Sequence, residues 1–382
     1  MKTEKHLHII SLNIPYPADY GGVYDLFYKL QALQEQGVQI YLHCFTKDRP
    51  EQPELNKYCK EVHYYQRNTG RKGLSMRLPY IVSSRINETL AQRLLQDDHP
   101  IVMEGIHCSY ILNDARFNNR KIFIRLHNVE NEYYNKLYTF SHRLRNTIFY
   151  WIEWKQLYKY EKKISKQATA FWAVSKQDVA YYQHEFNCGD IHYLPLFIPA
   201  WKTTMPEAMG SYCLYHGNLA VEENEYAALW LLKFVFNKLD IPFVIAGKNP
   251  SKKLITTIKK YKNASLLASP GEARMQEIIT GAHIHVLPSF NITGIKIKLL
   301  NALYNGRHCV VNDAMAAVPV FNDICHVVNS TSEFKERIQL LYHQPFTKAE
   351  KTFRQKVLQA EFSNEANAKQ IIKWIWNEEV NT

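Results

Sequence analysis

Strands alternating with helices in two successive blocks predict an α/β protein built from two doubly wound, Rossmann-like domains that face each other across a cleft. Three observations carry this expectation. The chain opens with an apolar strand, a Pro- and Gly-bearing loop, an amphipathic helix and a second apolar strand. The same alternation starts afresh at Ser211. Between the blocks, residues 190–210 hold Pro195, Pro199 and Pro206 and little periodicity, as a domain boundary does. A length of 382 residues allows two ordinary cores.

The elements follow in order. His6 to Asn13 reads as the first strand, and Pro15, Pro17 and Gly21-Gly22 as the loop after it. Val23 to Gln36 places Val23, Leu26, Phe27, Leu30 and Leu33 at helical spacing, and Gly37 stops the helix. Val38 to Phe45 is the next strand, which completes a right-handed β-α-β unit. Ile101 to Glu104, Lys121 to Leu126 and Ala168 to Val174 read as further strands. Ser175 and Asp178 then cap a helix, a structural rather than a catalytic pairing. In the second block Ser211 to His216, Ile241 to Ala246, His283 to Leu287 and His308 to Asn312 read as strands. Glu223 to Asn237, Leu254 to Tyr261, Ala273 to Gly281 and Ile295 to Tyr304 read as helices, and an amphipathic helix, Ala366 to Trp376, ends the chain.

Composition narrows the function classes. Hydrophobic residues make up 46% and charged residues 22%, ordinary for a globular protein. No apolar run approaches the roughly 20 residues that span a bilayer, and the first ten residues read as a strand rather than a signal peptide. Seven cysteines without a CxxC pair point to reduced thiols in a cytoplasmic protein, and away from a zinc site. The net charge of +11 calls for an anionic partner. With no nucleic-acid-binding motif, a nucleotide ligand and an anionic membrane surface are the expected ones.

Ligands of open α/β sheets sit beyond the C-terminal ends of the strands, so the residues there are the candidates. After the first strand come Gly21 and Gly22. Glu104 ends the strand at 101–104 and His107 follows it, and His127, Asn128 and Glu130 follow the next. In the second block the candidates are Gly217 and Asn218, Lys248, and the run Thr293, Gly294, Lys296, Lys298 and Asn301. That run opens a helix after a buried strand, where free N–H groups, the helix dipole and two lysines make an anion site suited to a phosphate or diphosphate. Gly294, Lys298 and Asn301 share one helix face, whereas Lys296 lies well round from Asn301. Plain alternatives stand beside these readings: Gly21-Gly22 as a tight turn, His127 as a structural histidine, Glu130 as a helix-start residue.

Gly294-x-Lys296-x-Lys298-x-Leu300-Asn301-Ala302, with Gly306 and the strand at 308–312, resembles the nucleotide-sugar site of retaining GT-B glycosyltransferases of family 4 (group 1). So do His127-Asn128-x-Glu130, Tyr215-His216-Gly217-Asn218 and Ala246-Gly247-Lys248-Asn249-Pro250. The resemblance is clear from about residue 101 to residue 312. It implies transfer of a sugar from a nucleotide-diphosphate sugar to an acceptor hydroxyl, with retention. It also implies donor contacts from Gly21, Gly22, Gly217, Asn218, Lys248, Thr293, Gly294, Lys296, Lys298 and Asn301. His127 and Glu130 would be the catalytic pair, and Glu104 and His107 would lie on the acceptor side. Two glutamates eight residues apart usually hold the donor in this family, and Thr293 and Asn301 stand in their places. An Asn301 amide still pairs with a ribose hydroxyl, without the strength a charge adds. The resemblance divides the chain into residues 1–198 as acceptor domain and 199–361 as donor domain, with a C-terminal helix, 362–382, packing back on the first. It calls for no metal and no cofactor beyond the donor, and for a glycan or lipid-linked acceptor of cell-surface polysaccharide or lipopolysaccharide assembly. Other readings are a nucleotide-sugar epimerase or hydrolase on the same fold, or a non-catalytic paralogue serving as a partner subunit. Finally, residues 136–166 interleave lysines and arginines with aromatics, as in a basic-aromatic helix on an anionic membrane at the inner face of the plasma membrane, or as in an internal helix with solvated lysines.

Overall fold

Seven parallel strands form the sheet of the first unit, which comprises residues 1–199 and 362–382. They are β1 (Lys5–Ser11), β2 (Val38–Thr46), β3 (Glu61–Gln66), β4 (Ile101–Glu104), β5 (Ile122–Leu126), β6 (Ala170–Ala173) and β7 (Ile191–Tyr193), in the order β3-β2-β1-β4-β5-β6-β7. The computed structural model describes residues 4–18, 21–47, 49–141, 144–201, 207, 209–290 and 297–377. The second unit, residues 200–361, holds six parallel strands: β8 (Cys213–His216), β9 (Phe243–Gly247), β10 (Ala264–Ala268), β11 (Ile284–Leu287), β12 (His308–Val311) and β13 (His326–Val327), ordered β10-β9-β8-β11-β12-β13. Both sheets are doubly wound α/β layers, so the chain consists of two Rossmann-like domains. β4, β5, β6, β8, β11 and β12 are buried at every position, because helices cover both faces of a parallel sheet.

Two features refine the expectations. Gly21 and Gly22 do not form a loop but the first turn of the helix Gly21–Glu35. The basic-aromatic segment is not one helix: Glu130–Phe140 and Leu144–Ile164 are separate, and the edge strands β3 and β7 are further elements that periodicity did not reveal. The segment Pro288 to Gly294 is described only as far as Phe290, so Thr293, Gly294 and Lys296 lie outside the described residues.

The helix Asn364–Trp376 packs into the core of the first unit through Ala368, Ile371, Ile372 and Ile375. Trp374 stacks on Trp172 at 5.7 Å and on His192 at 5.0 Å. Asn364 binds the backbone N–H and carbonyl of Ile198 at 3.0 and 2.7 Å.

In the second unit the loop after β8 rests on the end of β9. A Cβ on Gly247 would lie 1.9 Å from the Gly217 carbonyl oxygen and 2.9 Å from Leu219. Backbone occupies that space and cannot yield, so Gly247→Ala is expected to cost about 1–3 kcal/mol in denaturant unfolding, the usual range for overpacking.

Candidate functional site

In each sheet the strand order reverses once, and the chain leaves in opposite directions on the two sides of that point. The crevice so formed at the carboxyl ends is where such folds take ligands. In the first unit the reversal lies between β1 and β4, and a cluster of buried charges stands at the ends of β4 and β5. Asp25 and Lys29 lie one turn apart on the Gly21–Glu35 helix and bond at 3.0 Å. Lys29 Nζ also donates to Glu104 at 2.7 Å. Arg125, the penultimate residue of β5, donates to both oxygens of Asp25 at 3.0 Å each. It also holds the carbonyls of Leu194 and Pro195. Glu104 accepts from His127 Nε2 at 2.9 Å, while His127 Nδ1 lies 4.0 Å from Asp25, beyond hydrogen-bond distance.

Two carboxylates thus face two basic side chains, Lys29 and Arg125. Burial raises the Asp25 pKa, but Arg125 and Lys29 outweigh it and hold the carboxyl far below its ordinary range. Glu104 is likewise raised by burial and lowered more by Lys29 and His127. Ligand atoms of Asp25, Glu104 and His127 lie within 4.8 Å of one another, a spacing a metal ion could bridge. Lys29 and Arg125 already supply the positive charge there, so the donor set fits a closed ionic network better than a metal.

Gly105 has φ 76°, and a Cβ there would lie 2.7 Å from His107 Nδ1. That nitrogen is buried without a hydrogen-bond partner among the described residues. Burial, then Arg85 and Arg67, push the His107 pKa well down, so the ring is neutral. Glu130 begins the helix Glu130–Phe140, and its carboxyl is buried beside Glu161. Glu161 caps that helix from outside, accepting from the N–H groups of Glu130 and Asn131 at 3.1 and 2.8 Å and from Tyr182 at 2.7 Å. Burial and the neighbouring Glu161 push Glu130 up to about 8, and burial pushes Glu161 up to about 6. At neutral pH Glu161 is therefore the ionised member and Glu130 carries a proton. This is the environment of a helix-start residue.

In the second unit the reversal lies between β8 and β11. Lys298, in the first turn of the helix Ile297–Asn305, donates to Asn224 Oδ1 at 2.8 Å and to the Tyr215 hydroxyl at 3.3 Å. Its Nζ lies 5.0 Å from the Tyr215 ring centre. Asn224 in turn donates to the Asn218 carbonyl at 3.0 Å. Lys298 is thereby tied to the loop of Gly217 and Asn218. Burial, then Lys298, lower the pKa of His216 to about 3. The stretch after β11 is pinned at Ser289, whose hydroxyl donates to Glu223 at 2.8 Å and whose N–H donates to Asn312 at 2.9 Å. Lys248 is exposed at the end of β9, and its carbonyl accepts from Leu219 N–H at 3.0 Å. Asn301 Oδ1 accepts from Asn305 at 2.8 Å.

The structure therefore gathers Glu104 and His127 in one unit, and Gly217, Asn218, Lys248 and Lys298 in the other. Tyr215 and Asn224 flank the Gly217-Asn218 loop already quoted for the resemblance, whereas Asp25, Lys29 and Arg125 were not singled out from sequence. A legible signal existed for all three. Asp25 and Lys29 sit four apart within an apolar helix, and Arg125 interrupts an otherwise apolar strand.

Two predictions follow from the buried charges. Arg125→Met leaves Asp25 buried beside Lys29 alone and is expected to cost about 3–5 kcal/mol in denaturant unfolding. Glu130 is protonated when folded but ionised when unfolded between pH 4.5 and about 8, so native stability falls as pH rises through that window. Glu130→Gln removes the penalty. Thermal melts are expected to match the native chain near pH 4.5 and to exceed it by several degrees at pH 8.

Residues 210–344 match the model of the family glycosyl transferases group 1. Among curated proteins, an uncharacterized 44.6 kDa protein in the cps region of Klebsiella pneumoniae is 28% identical over 319 residues, covering 78% of this chain and 80% of that protein. Sucrose-phosphate synthase from Thermosynechococcus elongatus superposes with a TM-score of 0.69 at 13% identity, covering 97% of this chain and 98% of the other. Staphylococcus aureus TarM, crystallised with UDP and alpha-GlcNAc-glycerol, gives 0.67 at 10% identity over 97% and 100% of the two chains. At such identities the likeness establishes the fold. The chain thus has the fold of GT-B glycosyltransferases, with two Rossmann-like domains, and residues 210–344 of its second unit are similar to the group 1 family.

Proposed function

We propose that this protein transfers a hexose from a nucleoside-diphosphate sugar to an acceptor hydroxyl, with retention, during assembly of a cell-surface polysaccharide in the cytoplasm. The observation that carries the reading is Lys298, held by Asn224 and Tyr215 at the strand-order reversal of the group 1 domain. In the transfer the bond from the anomeric carbon to the diphosphate oxygen breaks. The bond to the acceptor oxygen forms, and the proton of the acceptor hydroxyl passes to the departing diphosphate oxygen. Negative charge grows on the departing diphosphate. Lys298 and Lys248, the helix N-terminus preceding Lys298 and the backbone around Gly217 would stabilise it. Because side chains and backbone do this work, the reading needs no divalent metal. Thr293, Gly294 and Lys296 join the donor contacts in this reading, and Asn301 would meet the ribose.

His127 would orient the sugar, with its Nε2 engaged by Glu104. The glycines at 21 and 22 would let a phosphate or the acceptor approach the first helix. Glu104 and His107 would border the acceptor, and Glu130 would support His127 from the helix start rather than exchange protons with substrate. The UDP held by the Staphylococcus aureus structure supports a nucleoside diphosphate donor, and the cps-region relative supports a role in capsule assembly on a glycan or lipid-linked acceptor.

Thermal-shift and calorimetric titration with UDP, GDP and their sugars tests the reading. One nucleotide class is expected to stabilise the native chain. Lys298→Ala is expected to weaken its binding about 10–100-fold, the loss of one charge-assisted contact. Nucleoside diphosphate release without acceptor would favour a hydrolase or epimerase. Binding of none would favour the non-catalytic reading, which the pairing of Asn301 with Asn305 rather than an added carboxylate supports.

A further inference from the structure

The helix Leu144–Ile164 in the first unit has one face the core does not use. Its buried face is Glu153, Leu157, Tyr160, Glu161 and Ile164. On the opposite side a single stripe runs Leu144, Ile148, Trp151, Lys155, Lys159 and Lys162, at the i, i+4, i+7 spacing of one helix face. The stripe changes character along its length. Its first half is apolar and open to solvent: Leu144 is 77% exposed, Ile148 52% and Trp151 48%, with Ile152 and Phe149 exposed beside them. Its second half is basic. Both carboxylates of the helix are turned inward, so every charge it presents to solvent is positive.

A second segment extends this face. Glu153 accepts the backbone N–H groups of Tyr80 and Ile81 at 2.9 Å each, and the rings of Tyr80 and Phe149 meet edge to face at 6.1 Å. This clamps the stretch 70–81 to the apolar half of the helix. Within it Gly70 N–H donates to the Tyr80 hydroxyl at 3.1 Å, and the Ser83 hydroxyl donates to the Gly73 carbonyl at 2.6 Å. A Cβ at Gly73 would lie 2.4 Å from the Asn68 carbonyl, so the turn is closely built. What it displays is Met76, 98% exposed, and Leu74, among exposed Arg71, Lys72 and Arg77, with no acidic residue from 70 to 81.

We infer that this surface docks the first unit on an anionic lipid bilayer. Leu74, Met76, Ile148 and Trp151 enter the interface, and Arg71, Arg77, Lys155 and Lys159 meet lipid phosphates. Charge decides the occupant. Apolar side chains bordered only by cations complement a surface that is apolar within and anionic at its headgroups. The apolar half of the stripe is about 12 Å long and the basic half about as long, at 1.5 Å per residue. The helix therefore lies along the surface; among the described residues no helix is long and apolar enough to cross a membrane.

The test is co-sedimentation of the full chain, without nucleotide or acceptor, with vesicles of pure phosphatidylcholine and of phosphatidylcholine containing phosphatidylglycerol. It is independent of the sugar-transfer reading. Binding is expected to the anionic vesicles alone and to weaken at least tenfold from low to high salt. Met76→Asp with Ile148→Asp, and separately Lys155→Glu with Lys159→Glu, are each expected to reduce it at least tenfold. All four residues are exposed, so melting temperatures should match the native chain and exclude misfolding as the cause. The inference is overturned by any of three results. These are no binding to anionic vesicles at low salt, binding that the apolar pair leaves unchanged, or a concentration-dependent dimer in solution that the apolar pair dissolves.

Discussion

Asp25 binds three parts of the first unit into one. Its carboxylate accepts from Lys29 on its own helix, from both Arg125 nitrogens that reach it out of β5, and from the N–H of Phe197 at 2.9 Å. A helix, a central strand and the segment leaving β7 are thereby held at fixed separation. Each partner is a basic side chain or a backbone N–H, and both Asp25 and Lys29 are fully buried. Such a network is worth having only when complete, because an unmatched charge left in that interior costs several kcal/mol. Glu104 and His127 are positioned by the same set through Lys29, so a structural constraint also orients the candidate ligand-facing histidine.

The second unit solves a parallel problem with fewer charges. Its reversal point is drawn together by Asn224, which links Lys298, Tyr215 and the loop after β8. Gly247 lets that loop lie directly on the end of β9. One buried-side lysine at a helix start, framed by backbone that has no room for a side chain, suits a ligand of concentrated negative charge. This is the physical content behind the nucleoside-diphosphate reading, and it stands on the residues before any family likeness is added.

Much of this was legible in the chain. The α/β alternation, the central strands and the residues at their carboxyl ends follow from periodicity and from the glycines and prolines between elements. The edge strands did not, because Glu61–Gln66 and Ile191–Tyr193 are half-exposed and lack the continuous apolar runs of the central strands. The helix start at Gly21 was hidden because two glycines read as a turn when no partner is in view. Glu130 looked chemical beside His127, yet its side chain is buried against Glu161, thirty-one residues along the chain, which no local pattern reveals.

By itself the amino-acid sequence determined the central strands and most of the helices between them, and which polar residues crowd the strand ends, because those follow from spacing along one chain. Tertiary structure alone decided which of those residues share an environment. Asp25 meets Arg125 across a hundred residues, Lys298 meets Asn224 across seventy-four, and Glu153 clamps Tyr80 across seventy-three. Such pairings depend on strand order in three dimensions, and with them go the burial that sets each ionisation state and the exposure that leaves Leu144 and Ile148 facing solvent.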